Sequence, residues 1–245
     1  MKKLLTICLL LVTLFISQNG FSQSNKISFA LFGGYSIPTG DLKGDIYFSG
    51  YSNNSYLVKS GFNLGGAARY NLDRKGSFQL VASLMYNAFS NSADTSLPGY
   101  TMSEKYKINI LSFNVGGQYN FKPNQQINPY VNFAVTNNFI SGSVETSGSV
   151  FTTSSNLKSA YRTGLQFGAG IEYAVSDQIG IIGGANYNLA NLIGKSNDSL
   201  GFDPSTFSLN DAEHTFGGTT IASRSISFIQ LYAGISIYLN RSVSR

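Results

Sequence analysis

Eight segments of the chain alternate between large apolar residues and small or polar residues. A period of two places successive side chains on opposite faces of a β-strand, so each segment predicts a strand with one apolar face. The segments are 27–37, 62–72, 78–88, 109–121, 130–139, 163–175, 179–189 and 227–239. Lengths of roughly 10 to 13 residues suit strands that cross a membrane at a tilt, whereas strands of water-soluble proteins commonly have about 5 or 6.

The connections between these segments alternate in length. Three are short and turn-like, at 73–76, 122–128 and 176–178. Four are long and polar, at about 40–60, 90–107, 141–162 and 191–225. Short periplasmic turns and long outer loops are typical of barrels in the bacterial outer membrane. The pattern therefore predicts an all-β, eight-stranded antiparallel up-and-down transmembrane β-barrel with long outer loops and both termini in the periplasm.

A similar sequence closes every second segment. The copies are GAARYNL at 66–72, GGQYNF at 116–121, GAGIEYAV at 168–175 and, more loosely, GISIYL at 234–239. Aromatic side chains concentrate where a membrane meets water, so the repeated rings are expected to mark one interface. The predicted members of this periplasmic aromatic girdle are Tyr70, Tyr119, Phe121 and Tyr173.

A water-soluble barrel with its apolar face inward is the alternative, and the volume of the bore argues against it. An eight-stranded interior is only just wide enough for side chains to fill. Small and polar residues fit that space, whereas most of the Phe, Leu, Ile and Tyr side chains would overcrowd it. Paired glycines fall in mid-strand with no helix after them, so we interpret them as allowing tight curvature rather than as phosphate loops.

The composition agrees with a wall that meets lipid. Only 12% of the residues are charged, which is low for a soluble surface. The formal net charge is +5 and its cations are scattered, so no nucleic-acid partner is expected.

The first residues read as a secretory signal peptide. Lys2 and Lys3 precede an apolar run, 4–16, that is too short to span a bilayer. We therefore expect a signal peptide at 1–23 and an outer-membrane β-barrel domain at 24–245. The only cysteine, Cys8, lies within that signal, which leaves no disulfide, thiol nucleophile or thiolate metal site in the mature chain. No cofactor or metal is expected.

Polar residues that each precede a repeated tyrosine should point into the bore at a similar depth. They are Arg69, Gln118 and Glu172. The second and sixth strands face each other in a ring of eight, and such a barrel is on the order of 16 Å across. Arg69 and Glu172 are thus expected almost to meet, with Gln118 or water completing the contact. Together with Asn186, also on the inward face, they are predicted to form a polar plug, with a gate as the alternative.

The longest loop holds the only histidine, His214, beside Glu213. Asp198, Asp203 and Asp211 precede it. Such a set can serve surface hydrolysis or hold Ca²⁺, but the sequence has neither a nucleophile motif nor a spaced calcium loop. We predict no catalytic residues and no enzyme activity. The Ser-, Thr-, Asn- and Tyr-rich outer loops can form a binding surface or a solvated coat.

Three stretches of the chain resemble a known family. They are the opening FALFGGY at 29–35, the repeated strand endings, and the last strand LYAGISIYL at 231–239. They resemble the small bacterial outer-membrane β-barrels of the OmpA-like and OmpX-like kind, described as the outer membrane protein beta-barrel domain. The resemblance implies insertion by the barrel insertion machinery into outer-membrane lipid and lipopolysaccharide. Family members often end on an aromatic residue that the insertase recognises, and Tyr238 is expected to serve here.

The leading functional prediction is a non-enzymatic outer-membrane protein with a structural or surface-interaction role through its extracellular loops. A narrow pore or conduit for small or hydrophobic solutes is the first alternative. An outer-membrane lipid hydrolase or acyltransferase and an accessory component of a secretion machine are the others. The extracellular or secretion-system partner is left unidentified by the sequence.

Overall fold

The structure is a computed structural model that describes residues 27–46, 55–97, 100–149, 151–198, 205–216 and 219–239. The predicted signal peptide lies outside the described residues. Eight long strands make up most of the described chain. They are β1 (Ile27–Thr39), β2 (Ser60–Asn71), β3 (Phe78–Leu97), β4 (Tyr100–Asn120), β5 (Ile127–Gly148), β6 (Phe151–Ala174), β7 (Ile179–Ile193) and β11 (Ser227–Tyr238).

The eight strands close into a ring of antiparallel neighbours. Each of the strands β1 to β6 pairs with the next strand in the chain. Strand β7 pairs with β11, and β11 pairs with β1. Pairing of β5 with β6 completes the ring from the other side. The predicted all-β, eight-stranded barrel is therefore confirmed.

Large apolar side chains lie on the outside of this ring. On β2, Phe62 and Leu64 are 56% and 63% exposed, while Asn63 between them is 3% exposed. The same alternation continues along β4, where Leu111 is exposed and Ile110 is buried. An exposed apolar wall of this extent is what a lipid-facing barrel requires, and it excludes the water-soluble barrel with its apolar face inward.

Two of the four predicted long loops are not loops. The described parts of these stretches, 90–97, 100–107, 141–148 and 151–162, continue as strand, so that β3, β4, β5 and β6 extend beyond the other strands as one four-stranded sheet. The sequence hid this extension because its Ser- and Thr-rich strands have no apolar alternation, although Thr favours the β conformation. We call the extension the outer sheet.

The other two connections are irregular. The first carries a short 3-10 helix, Gly40–Leu42, and the last carries the short strands β8 (Thr206–Phe207), β9 (His214–Phe216) and β10 (Thr219–Ile221). No helix within the described ranges is long and apolar enough to cross a membrane.

Glycine permits the close approach of strands at particular points of the wall. A Cβ added to Gly116 would lie 1.9 Å from the carbonyl oxygen of Phe133, and one added to Gly234 would lie 2.0 Å from that of Leu31. Both distances are far inside van der Waals contact, so a larger residue would push the paired strands apart. This agrees with the interpretation of these glycines as curvature positions.

Candidate functional site: the bore and its outer mouth

A buried ion pair crosses the bore near the end where the short turns lie. Arg69 Nη1 on β2 is 3.2 Å from Glu172 Oε1 on β6, and the side chains are 2% and 7% exposed. Arg69 Nη2 also donates a hydrogen bond of 2.7 Å to Ser236 Oγ. The structure thus brings together the two charged residues that the sequence placed opposite each other. Ser236 was missed as a partner, because an isolated serine in a strand carries no distinguishing signal.

The two other predicted bore residues are buried but lie in different hydrogen-bond groups. Gln118 Nε2 donates to Asn120 Oδ1 at 2.8 Å instead of completing the contact between Arg69 and Glu172. Asn186 Nδ2 donates to Gln230 Oε1 at 3.4 Å. This bond lies further from the short turns than the Arg69–Glu172 pair. The four residues therefore share the inward face, while only Arg69 and Glu172 contact each other.

A layer of aromatic residues lies above the ion pair. The hydroxyls of Tyr130 and Tyr232 are 2.8 Å apart and form a buried hydrogen bond. Ala30 and Ile182 pack against them, and the ring of Phe32 lies 5.2 Å from that of Tyr232. Large side chains thus fill the bore at this height.

The middle of the bore is filled by hydrogen-bonded amides. Asn87 Oδ1 accepts hydrogen bonds from Ser36 Oγ at 2.9 Å and from Gln230 Nε2 at 2.7 Å. Asn188 Nδ2 in turn donates to Gln230 Oε1 at 3.1 Å. These bonds compensate the burial of Asn87 Oδ1, Gln230 and Ser36 Oγ, while Asn87 Nδ2 is buried without a partner among the described residues.

An apolar cluster closes the bore at the opposite end. It joins strand residues to both irregular connections, and the rings of Phe89 and Phe228 meet edge to face at its centre, 5.2 Å apart. The buried members are Leu42, Val58, Phe89, Ile108, Ile110, Ile140, Leu157, Ala190, Leu209, Ile226 and Phe228. We call this cluster the apolar cap.

A second buried ion pair fastens the last connection to the barrel above the cap. Arg162 Nε and Nη2 on β6 donate to the two carboxylate oxygens of Asp211 at 2.8 and 2.7 Å. Asn191 Nδ2 and the backbone N–H of Ser196 donate to the same carboxylate. Burial acts to raise the pKa of Asp211, but these hydrogen bonds and the Arg162 charge outweigh it and hold the pKa below its usual value. The sequence analysis missed this pair.

A cation–π contact and backbone hydrogen bonds add to this fastening. The guanidinium carbon of Arg224 lies 4.4 Å from the centre of the Tyr56 ring. Arg224 also donates to the carbonyl oxygens of Leu209 and Asn210. Burial raises the pKa of Tyr56 above its ordinary value despite the nearby Arg224 charge, so its hydroxyl stays protonated and donates to Leu209 O at 3.0 Å.

Small cavities flank the ion pair in the described part of the bore. One of about 50 Å³ is lined by Arg69 together with the tyrosine layer, and one of about 40 Å³ is lined by Glu172 and opens toward the short turns. Each has room for one or two water molecules. The Arg69–Glu172 pair stands between them.

The structure places His214 on the short strand β9. Its Nδ1 lies 3.1 Å from the carbonyl oxygen of Ala212, and Asp211 is already bound to Arg162. Asp198 lies 3.9 Å from Lys158, and Asp203 is outside the described residues. The described chain holds no group of three or more His, Cys, Asp or Glu residues placed to bind a metal ion.

Aromatic residues ring the outer wall at both ends of the apolar belt. The four predicted girdle residues are exposed at 36% to 55% and lie near the short turns; they are Tyr70, Tyr119, Phe121 and Tyr173. The ring of Tyr119 lies 4.9 Å from Phe78 and 5.0 Å from Phe121. A second ring, which the sequence analysis did not name, lies toward the outer sheet and comprises Tyr35, Phe62, Tyr86, Phe139, Tyr161 and Tyr187.

The two rings are separated by a distance that fits a membrane. Phe78 and Tyr86 on β3 are eight residues apart, or about 27 Å along the strand, which a tilt of about 40° reduces to roughly 20 Å; such barrels have an apolar band about 25 Å tall. Tyr238 does not contribute to either ring because its side chain is 7% exposed and points inward. Leu239 occupies the outward position next to it, and recognition of Tyr238 by the insertion machinery stays a prediction.

Comparison with known proteins agrees with this architecture. Neisserial surface protein A has a similar structure with a TM-score of 0.50, at 14% identity over 87% of this chain and 97% of that one. The Yersinia pestis attachment invasion locus protein Ail (TM-score 0.40, 14% identity, 88% and 100% coverage) and Pseudomonas aeruginosa OprG (0.42, 12%, 90% and 100%) also match. No curated protein matches the sequence significantly. The family model described as the outer membrane protein beta-barrel domain matches residues 8–212, and this chain belongs to that family.

Proposed function

We propose that this protein is a non-enzymatic outer-membrane barrel that conducts no solute and acts structurally or through the outer sheet and its neighbouring loops. The filled bore carries the proposal. From one end to the other it holds a buried ion pair, a tyrosine layer, an amide layer and the apolar cap. An aqueous channel would have to displace all four.

The energetics of the ion pair support a sealed bore. Removing one partner of a buried pair costs about 3–5 kcal/mol because the other charge is left without compensation. Thermal motion therefore seldom separates Arg69 from Glu172. The apolar cap adds a second barrier, since water entering a space lined by Phe89 and Phe228 finds no hydrogen-bonding partners.

The connections at one end of the barrel are short and those at the other end are long, and this difference supports one direction of insertion. Short turns face the periplasm in barrels of this type and longer connections face outward. We therefore place both termini, after removal of residues 1–23, in the periplasm and the outer sheet outside the cell. Lipid and lipopolysaccharide then surround the wall, the insertion machinery acts during biogenesis, and an extracellular or secretion-system partner would meet the outer sheet.

The accessibility of engineered cysteines tests this direction. The only native cysteine is Cys8, so a mature chain lacking residues 1–23 would carry only the engineered thiol. Ser92→Cys on the outer sheet should react with a membrane-impermeant maleimide in intact cells, and Lys75→Cys in a short turn should react only after the outer membrane is permeabilised. The reverse pattern would overturn the placement.

Planar-bilayer recording tests the sealed bore. The purified mature protein should give no stable conductance steps in 1 M KCl, and Arg69→Ala should also give none while losing stability. Lys75→Ala, in an exposed turn, controls for the effect of removing a cation. Long-lived steps in the unmodified protein would contradict the proposal.

A gated narrow conduit is the second candidate, and one observation favours it. The cavities on either side of the Arg69–Glu172 pair would join if the pair separated. A conduit predicts that Arg69→Ala opens discrete steps absent from the unmodified protein, so the same recordings distinguish the two functions.

A further inference from the structure

The outward face of the outer sheet carries a cluster of charges next to the membrane. Lys107 Nζ lies 2.6 Å from Glu145 Oε1 on the adjacent strand. Lys105 is paired with Glu145 in the strand register, and its side chain is exposed. The cluster contains two cations and one anion, and its neighbours on the outward face of β3 are Ser90 and Ser92. The exposed carboxylate of Asp94 follows Ser92 on the same face, further from the membrane.

The height of this cluster can be read from the aromatic ring below it. Tyr86 Oη donates to Asn109 Oδ1 at 3.0 Å, and outward residues are apolar on the membrane side of that bond. Lys107 follows Asn109 by two residues away from the belt, or about 7 Å along the strand. Each polar headgroup layer of a bilayer is roughly 5–8 Å thick, so the amine of Lys107 lies within it and that of Lys105 lies just above.

The electrostatics of the cluster favour an anionic ligand. The hydrogen bond and charge of Lys107, followed by the charge of Lys105, lower the pKa of Glu145, so this carboxylate is charged beside the two lysines at neutral pH. Lys107 is held in place by Glu145, while Lys105 forms no ion pair among the described residues. On the membrane side of Asp94, two lysines and one carboxylate thus face the headgroup layer beside serine hydroxyls that can donate to phosphate oxygens.

Other cations at the end of the barrel that carries the outer sheet are held by partners of their own. Lys59 is paired with Asp45 at 2.7 Å, and Lys195 Nζ donates to Ser223 Oγ and to a backbone carbonyl. Arg162 is buried against Asp211. Lys158 on β6 lies 3.9 Å from Asp198. Lys105 and Lys107 occupy successive outward positions of β4 directly above the aromatic ring.

We propose that Lys105 and Lys107 bind a phosphate group of the lipid A portion of lipopolysaccharide, with Glu145 positioning Lys107 and the neighbouring serines donating further hydrogen bonds. This inference rests on the proposed outward direction of the outer sheet, because lipopolysaccharide occupies the outer leaflet. It makes the cluster a specific lipid contact that fixes the outer sheet against the membrane surface.

Binding of defined lipids to the purified mature protein tests the assignment. Bisphosphorylated lipid A in a neutral detergent should bind more tightly than fully dephosphorylated lipid A, as measured by native mass spectrometry. A lysine near an anionic membrane surface contributes about 1 kcal/mol, so each lysine-to-alanine change should weaken phosphate-dependent binding about fivefold and the double variant about 25-fold. Lys158→Ala, on the same sheet but beside Asp198, should leave binding unchanged.

Two further arms identify the ligand and the role of Glu145. Inorganic phosphate at millimolar concentration should not displace lipid A; efficient displacement would show a site for free phosphate and overturn the lipid assignment. Glu145→Gln should weaken phosphate-dependent binding, because it removes the carboxylate that holds Lys107 in place; unchanged or tighter binding would overturn the positioning role of Glu145.

The outcomes separate this inference from the proposed direction of insertion. Equal lipid A binding by the double variant and the unmodified protein would overturn the lysine site, whatever the cysteine labelling shows. Periplasmic labelling of Ser92→Cys would instead overturn the direction of insertion, and with it lipid A as the cellular ligand, even if the lysines bind lipid A in vitro.

Discussion

Arg162 and Asp211 form a two-pronged ion pair between strand β6 and a connection that returns to the barrel only at Ser227. Both contacts are shorter than 3 Å, and Asp211 is fully buried. The pair therefore joins the wall to the segment that covers the apolar cap. Its effect is expected to be local, since the barrel wall itself does not depend on it.

Removing one side of this pair should release the covering segment. Arg162→Met would leave the Asp211 carboxylate buried with fewer donors, a change that costs about 3–5 kcal/mol for buried pairs. Trypsin should then cleave after Lys195 or Arg224 in the folded variant much faster than in the unmodified protein. Asp198→Asn, at an exposed ion pair, should show no acceleration; equal protection of Arg162→Met would mean that the pair does not hold the segment.

The same pair should make the covering segment sensitive to acid. The pKa of Asp211 is lower in the folded protein than in the unfolded chain, so its stabilising effect is complete above the unfolded value of about 3.9 and is lost as pH falls through the folded value. Resistance to an acid-active protease should be constant from neutral pH to about 5 and should fall below about 4. Asp211→Asn should remove this pH dependence while lowering resistance at neutral pH.

Removing only one member of the Arg69–Glu172 pair should lower the stability of the protein, because the remaining buried charge loses its ion-pair partner. Arg69→Met alone should lower the free energy of unfolding in urea by about 3–5 kcal/mol. The double variant Arg69→Met, Glu172→Leu should recover much of that loss, because no lone charge remains in the bore. A double variant as unstable as Arg69→Met alone would indicate that shape, rather than charge, sets the cost.

Sequence reasoning located one of these ion pairs and not the other for a physical reason. Arg69 and Glu172 lie in regular strands whose repeated endings fix both depth and facing, so their meeting follows from ring geometry. Asp211 lies in an irregular segment whose path is set by tertiary packing on the apolar cap. Nothing in local periodicity could pair it with Arg162, which lay at the end of the predicted loop 141–162.

The outer sheet is a second feature that the alternation of apolar and polar residues could not predict. Alternation of apolar and polar residues reports burial of one face in lipid or core, and it ends where a strand leaves the membrane. The strands β3 to β6 continue past that point with Ser and Thr on their outward faces, so pattern reading assigned loops. Composition predicted a polar surface correctly but not its regular backbone.

The amide layer should be sensitive to loss of a single acceptor. Asn87→Leu would leave Ser36 Oγ and Gln230 Nε2 without the oxygen that accepts from both, and each unsatisfied buried group costs about 1–3 kcal/mol. The urea midpoint should fall accordingly. Asn109→Leu, whose side chain lies on the outer wall beside Tyr86, provides the matched control and should change the midpoint little.

Shortening the outer sheet should show whether lipid A binding depends on this sheet while folding and closure of the bore depend on the barrel. Replacing residues 92–105 by Asn-Gly would join the register partners Asn91 and Tyr106 through a two-residue turn that suits a hairpin. Because Phe89 and Ile108 of the apolar cap are retained, the variant should still fold, with heat-modifiable migration in electrophoresis and a closed bore in bilayer recordings. Its phosphate-dependent lipid A binding should weaken about fivefold, since Lys105 is removed while Lys107 is retained. Failure to fold would instead show that the outer sheet is part of the structural unit that closes the barrel.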